Sequence, residues 1–237
     1  MNETLLFCDV DEYGFPHWNG FDMFQWYVLP TDWEYMTGNA YLWLYKTSWL
    51  IYHRSMIKQF AKEAQIPELL LAGVAVAEVG GTPERLKGIG VLQARQVLDE
   101  LSREKNKYSN KTSIGSVAIQ LGVAAETLGL DPASLDHLQQ YQLGQCLLEN
   151  SFNIRVVAFH LRDLILHDHP GIRTDNLTDE HIILAGSRCN RDTQRSTGNR
   201  IASIHQPVGQ SSRVYGETHN CEKKRDHGHL GRYLSEL

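Results

Sequence analysis

Cysteine is scarce in this chain. Only Cys8, Cys146, Cys189 and Cys221 occur in 237 residues, and no two are spaced as Cys-x-x-Cys. That pattern excludes a cysteine zinc site. It points to a chain without a disulfide framework, made in a reducing compartment, with room for at most one bridge. A basic stretch followed by an apolar one is missing from the start, where Met1 to Glu12 carries acids instead. No apolar run is long enough to span a bilayer; the longest early one, Tyr41 to Tyr52, is interrupted by Lys46. The expectation is a chain synthesised in the cytoplasm without a signal peptide and without stable membrane insertion. Positive charge is not in excess either. A net charge of -5 argues against a protein whose work is gripping nucleic acid, and Lys223-Lys224-Arg225 is only a short solvated run. A serine nucleophile elbow and a phosphate-cradling glycine loop are also absent, and residues 66–204 show no strand alternation. Histidine is plentiful at 11 residues. Yet His160 lies within an apolar helical stretch, and His167-Asp168-His169-Pro170 reads as a helix exit, where basic groups are at home. No tight two-His helical motif is present, so neither a metal nor a cofactor is expected.

What is present is a substantial core. Hydrophobic residues make up 42% of the chain, enough to rule out broad disorder. The fold class expected is mainly α, in three zones. Residues 1–65 form an aromatic-rich N-terminal extension holding all five tryptophans, turning helical from about Asn39 to Gln65. Two readings fit it: a sugar-stacking surface, or a strap packed on the main domain through large rings. Residues 66–204 read as a series of helices. Gly90 to Glu104 is amphipathic, Lys105 to Lys111 is a polar mobile loop, and Ser116 to Leu128 is a small-residue helix. Asp131-Pro132 caps a helix reaching about Glu149, Asn153 caps Ile154 to Leu166, and Thr178 caps a helix from Asp179. Residues 205–237 are a polar tail with a short helix from Leu230.

One acid stands out. The run Pro67 to Val79 reads as a helix apolar on all sides, hence buried. Pro67 and Glu68 suit its first turn, and Gly80-Gly81 stop it. Glu78 falls in the last turn, beside the core and at the negative end of the helix dipole. Both influences disfavour the carboxylate and are expected to raise its pKa, which suits a general acid. The competing reading is a surface glutamate turned outward.

The acid in Ala75-Val76-Ala77-Glu78-Val79-Gly80, the segment Ser113 to Leu121, the stretch Asn153 to Leu164 and the segment Leu184 to Asp192 follow one another in residues 66–204, about the middle three fifths of the chain, and in that order they resemble the lysozyme-like superfamily in its soluble lytic transglycosylase and goose-type lysozyme branch. Ala75-Val76-Ala77-Glu78-Val79-Gly80 resembles the family's acid at the end of a buried helix, with Val79 where Ser is usual. Ser113-Ile114-Gly115-Ser116-Val117-Ala118-Ile119-Gln120-Leu121 resembles its Ser-x-Gly-Leu-Met-Gln-Ile motif, with two additional residues. Asn153-Ile154 through Ala158, Leu161, Arg162 and Leu164 follows the Asn-Ile…Ala-x-x-Leu-Arg-Glu-Leu helix in register. Leu184-Ala185-Gly186-Ser187-Arg188-Cys189-Asn190-Arg191-Asp192 is a longer version of Leu-Ala-x-Tyr-Asn-x-Gly, with Cys189 in place of Tyr and Asp192 in place of Gly.

The resemblance implies a lysozyme-like helical domain that cleaves peptidoglycan glycan strands between N-acetylmuramic acid and N-acetylglucosamine. Glu78 would be the general acid; Ser113, Gln120, Arg188 and Asn190 would bind substrate. A lytic transglycosylase needs that one acid, whereas a muramidase uses water and usually a second carboxylate. Glu84 and Asp192 are the candidates for the second. A wall enzyme without a signal peptide is expected to act in the periplasm or cell wall after specialised export, as an antibacterial effector or an endolysin. The effector is favoured because the extension lacks a wall-binding repeat. An immunity or inhibitor protein is then a further partner. The rival class is a non-catalytic lysozyme-like module that binds glycan or protein.

Overall fold

The computed structural model describes residues 8, 15–31, 33, 36–80, 86–173 and 176–189, all within one compact unit. Among them nine α-helices pack around one apolar core, with one very short hairpin. Helix α1 spans Gly20–Tyr27. Its start is fixed by a reciprocal cap: Asn19 Oδ1 accepts from the Phe21 backbone at 2.8 Å, and Asp22 Oδ2 accepts from the Asn19 backbone at 2.8 Å. Helices α2 (Gly38–Tyr52) and α3 (Arg54–Ala64) replace the single helical stretch expected from Asn39 to Gln65. The chain breaks at His53, whose buried Nδ1 lies 2.8 Å from the Trp49 carbonyl. That bond satisfies a carbonyl at the end of α2.

Helix α4, Glu68–Glu78, starts after Pro67 as expected. Leu70, Leu71, Val74, Ala75 and Val76 are buried. It is not apolar and buried on every side, however. Leu69 is 64% exposed, and with Gly73 and Ala77 it forms a stripe spaced four residues apart that faces outward. After a single π-helical turn at Leu86–Gly90, α5 (Val91–Ser102) ends at Arg103 in the left-handed conformation.

The segment Lys105 to Lys111 is not a mobile loop. Asp99 is buried and accepts from the backbones of Tyr108 (2.8 Å) and Ser109 (2.9 Å). Asn106 donates to the carbonyls of Leu135 (2.7 Å) and Pro132 (3.0 Å), and Gln140 donates to Ser109 Oγ at 3.0 Å. Polar residues here satisfy one another inside the protein, so a polar run does not imply solvation.

The expected helix from Ser116 is a hairpin in its first part. Strands β1 (Ser113–Ile114) and β2 (Ile119–Gln120) pair antiparallel, with Ser113 opposite Gln120, and α6 runs only over Leu121–Thr127. Two-residue strands carry no alternation to read. The hairpin is held from outside: Asn153 Oδ1 accepts from the Val117 backbone at 2.9 Å, Asn153 Nδ2 donates to the Val117 carbonyl at 3.1 Å, and Ser116 Oγ donates to Asn150 Oδ1 at 2.6 Å. Asn153 is therefore no N-cap. It lies inside α8, which spans Asn150–Asp168. Helix α7 (His137–Leu148) is capped by Asp136 with Gln139, and Asp131-Pro132 forms a turn ahead of it. Helix α9 covers Asp179–Cys189.

Helix α8 packs against α3, α4, α6, α7 and α9. Ile154, Val157, Ala158, Leu161, Leu164 and Ile165 are buried on it. Each such large aliphatic contributes roughly 1.5–3 kcal/mol relative to exposure. Trp18 and Trp49 are also buried, whereas Trp33 is 58% exposed. Cys8 and Cys146, 138 residues apart, form a disulfide, so the room left for one bridge is used.

Gly115 is the tightest point. Its φ is +95°, and a Cβ there would lie 2.2 Å from Asn153 Nδ2 and 2.5 Å from the Leu147 carbonyl. Gly115→Ala is expected to cost about 2–4 kcal/mol, combining backbone strain with loss of the Asn153 bonds. Urea unfolding against wild type measures it.

Candidate active site around Glu78

Glu78 is the last residue of α4 and is half-buried. Val79 leaves the helix in an extended conformation, and Gly80 turns the chain with φ +81°. A Cβ on Gly80 would stand 2.9 Å from Leu42 Cδ1 and 3.4 Å from Trp18 Cε3. The aromatic N-terminal segment thus packs directly beside the acid's helix terminus, and the Trp18 ring meets Tyr45 with centroids 4.8 Å apart.

A helix ending in the interior leaves carbonyls without partners. Here a lysine supplies them. Lys46, on α2, is 8% exposed. Its Nζ donates to the carbonyls of Val76 at 2.6 Å and Ala77 at 3.1 Å, and it lies 5.8 Å from the Trp43 ring centroid. Burial drives its pKa down to about 8, against the attraction of Glu78, which works to raise it. The sequence pattern did carry a trace of this residue: a lone lysine inside an otherwise apolar helical run. Such a lysine normally snorkels to water; this one terminates a neighbouring helix.

Helix α9 approaches Glu78 from another side. Gly186 packs on α4, where a Cβ would meet Leu70 Cδ1 at 3.5 Å. Cys189 is half-buried, and its thiol is pushed up to about 12 by burial and then by the charge of Glu78. It stays a thiol at physiological pH and is no nucleophile. The end of α9 therefore comes within electrostatic reach of Glu78 at Cys189.

The other expected site residues divide. Ser113 and Gln120 are brought together across the hairpin, and Gln120 also precedes α6. Arg188 pairs with Asp168 at the end of α8. Burial of Asp168 works to raise its pKa, but the hydrogen bonds from Arg188 and His167 outweigh it and hold the carboxyl below its ordinary value. Asn190, Glu84 and Asp192 lie outside the described residues, as does the tail helix expected from Leu230. Among the described residues no three His, Cys, Asp or Glu side chains come together as a metal site, and no helix is long and apolar enough to cross a membrane. An open depression of about 560 Å³ is lined by Lys105, Asn106, Leu135, Asp136 and His137, among others; none of its lining residues belongs to α4 or α9.

No family model matches this chain. Curated proteins and solved structures likewise give no match.

The buried lysine makes a stability prediction. Its ammonium loses its proton near pH 10.5 when unfolded and near 8 when folded. Between those values the unfolded chain holds the extra proton. The cost of burying the charge is therefore full below pH 8 and is relieved as pH rises to 10.5. Wild type should gain up to about 3 kcal/mol across that window relative to a Lys46→Met variant. Denaturant unfolding of both proteins at pH 7.5 and 10 measures the difference.

Proposed function

We propose that the protein cleaves the glycan strands of peptidoglycan, with Glu78 as general acid. The observation that carries this reading is the half-exposed carboxylate at the last position of the largely buried α4, where α2, α4 and α9 meet. A hairpin follows at the second family-like segment, and the buried α8 follows at the third. That order supports the resemblance to a lysozyme-like domain. In the reaction Glu78 donates its proton to the glycosidic oxygen as the bond to the leaving sugar breaks. The same residue then takes a proton either from the sugar's own hydroxyl, giving an anhydro end, or from water. The Cys8–Cys146 disulfide fits a protein that works in an oxidising space outside the cytoplasm, as an exported effector or endolysin would.

A second reading has its own observation. An ammonium within electrostatic reach gives Glu78 a structural partner, as expected of a lysozyme-like module that binds glycan or protein without cleaving it. Purified cell walls separate the two. Wild type should clear them, and Glu78→Gln should lower the rate about 10² to 10⁴-fold. Mass spectrometry of the fragments then distinguishes anhydro from reducing ends. Equal clearing by both proteins would remove Glu78 from the mechanism. Binding without clearing by wild type would establish the module.

A further inference from the structure

We propose that Lys46 is a positioning residue for Glu78: its buried ammonium fixes the last turn of α4 and favours the ionised form of the carboxylate that ends it. This rests on the reading of Glu78 as the acid.

Three observations carry it. The ammonium is almost fully buried, so it is not there by default; removing a lysine from water is costly unless something compensates. Its compensation is specific: the carbonyls of Val76 and Ala77, the two residues immediately before Glu78. A cation at a helix C-terminus also meets the favourable end of the dipole. Finally, the ammonium and the Glu78 carboxylate attract one another, and such a neighbour favours the ionised acid. The attraction opposes the helix dipole and partial burial, which favour the protonated form.

Among the described residues, the cation on α9 beside Cys189, Arg188, pairs with Asp168 at the end of α8. From α9, Cys189 presents a thiol that remains protonated. From α1, Asp22 is held by the Asn19 backbone and by the Tyr41 hydroxyl, which donates at 2.5 Å. Helices α3 and α8 contribute Ile57, Phe60, Ile154 and Val157 to the same core.

The test uses the full chain with carbon-13-labelled glutamate. The Glu78 carboxyl resonance, assigned by its loss in Glu78→Gln, is followed against pH. In Lys46→Met the midpoint should rise by about 1 to 3 pH units. The pH profile of wall clearing should move the same way, which loss of packing alone would not cause. Lys46→Arg should keep the wild-type midpoint. If Lys46→Met does not fold, Lys46→Gln retains a donor without charge and should give the same rise. An unchanged midpoint in a folded uncharged variant overturns the proposal. A shifted midpoint in a protein that clears no walls would uphold the Lys46 effect on Glu78 and refute the enzymatic reading instead.

Discussion

A buried ammonium closing the end of a buried helix is the constraint around which this fold is arranged. Helix α4 is too apolar to stay at the surface, and its terminal carbonyls cannot be left unpaired inside. Lys46 meets those carbonyls from α2, which fixes α2 against α4. Once α2 is there, Trp18 and Leu42 close over Gly80, and only glycine fits that turn. Glu78 is left half-exposed between the lysine and the end of α9. The features that make it interesting chemically are consequences of how the helix had to end.

A second polar device works at the other side of the core. Asn153 is buried in α8 and spends its amide on both backbone groups of Val117. The hairpin could not be stable alone, because two-residue strands offer too few pairs. It exists because α8 reads its tip, with Gly115 providing the close approach. The two devices share a logic: a polar side chain on one helix satisfies the backbone of another element, so burial and specificity arise together.

Much of the helical order was legible in sequence, for identifiable reasons. Pro67 and Gly80 bracket α4 with residues whose backbone preferences are local. Thr178 before Asp179 and the amphipathic run into Ser102 are equally local signals. What escaped was decided by tertiary contact. His53 breaks a continuous helical pattern by bonding back to Trp49. Asn153 looks like a cap until its partners across the fold are known. Asp136, five residues past Asp131, carries the capping box because Gln139 lies at the matching position. Cys8 and Cys146 are far too distant in sequence for their pairing to show. At the site, Glu78 was legible because helix termini are. Lys46 showed only as a lone charge in an apolar run; its role was hidden, since that depends on which helix lies beside it. The pairing of Arg188 with Asp168 was not legible either, because the two sit on different helices.

The proposed site stands on one carboxylate, and the proposed ligand is a glycan strand. Nuclear magnetic resonance of the full chain titrated with an N-acetylglucosamine tetramer tests this most directly. The account predicts that backbone resonances of Val76 to Gly80, the last turn of α9 and the Ser113–Gln120 hairpin shift together with one affinity. Shifts confined to the depression around Asn106 and His137, or none at all, would contradict it.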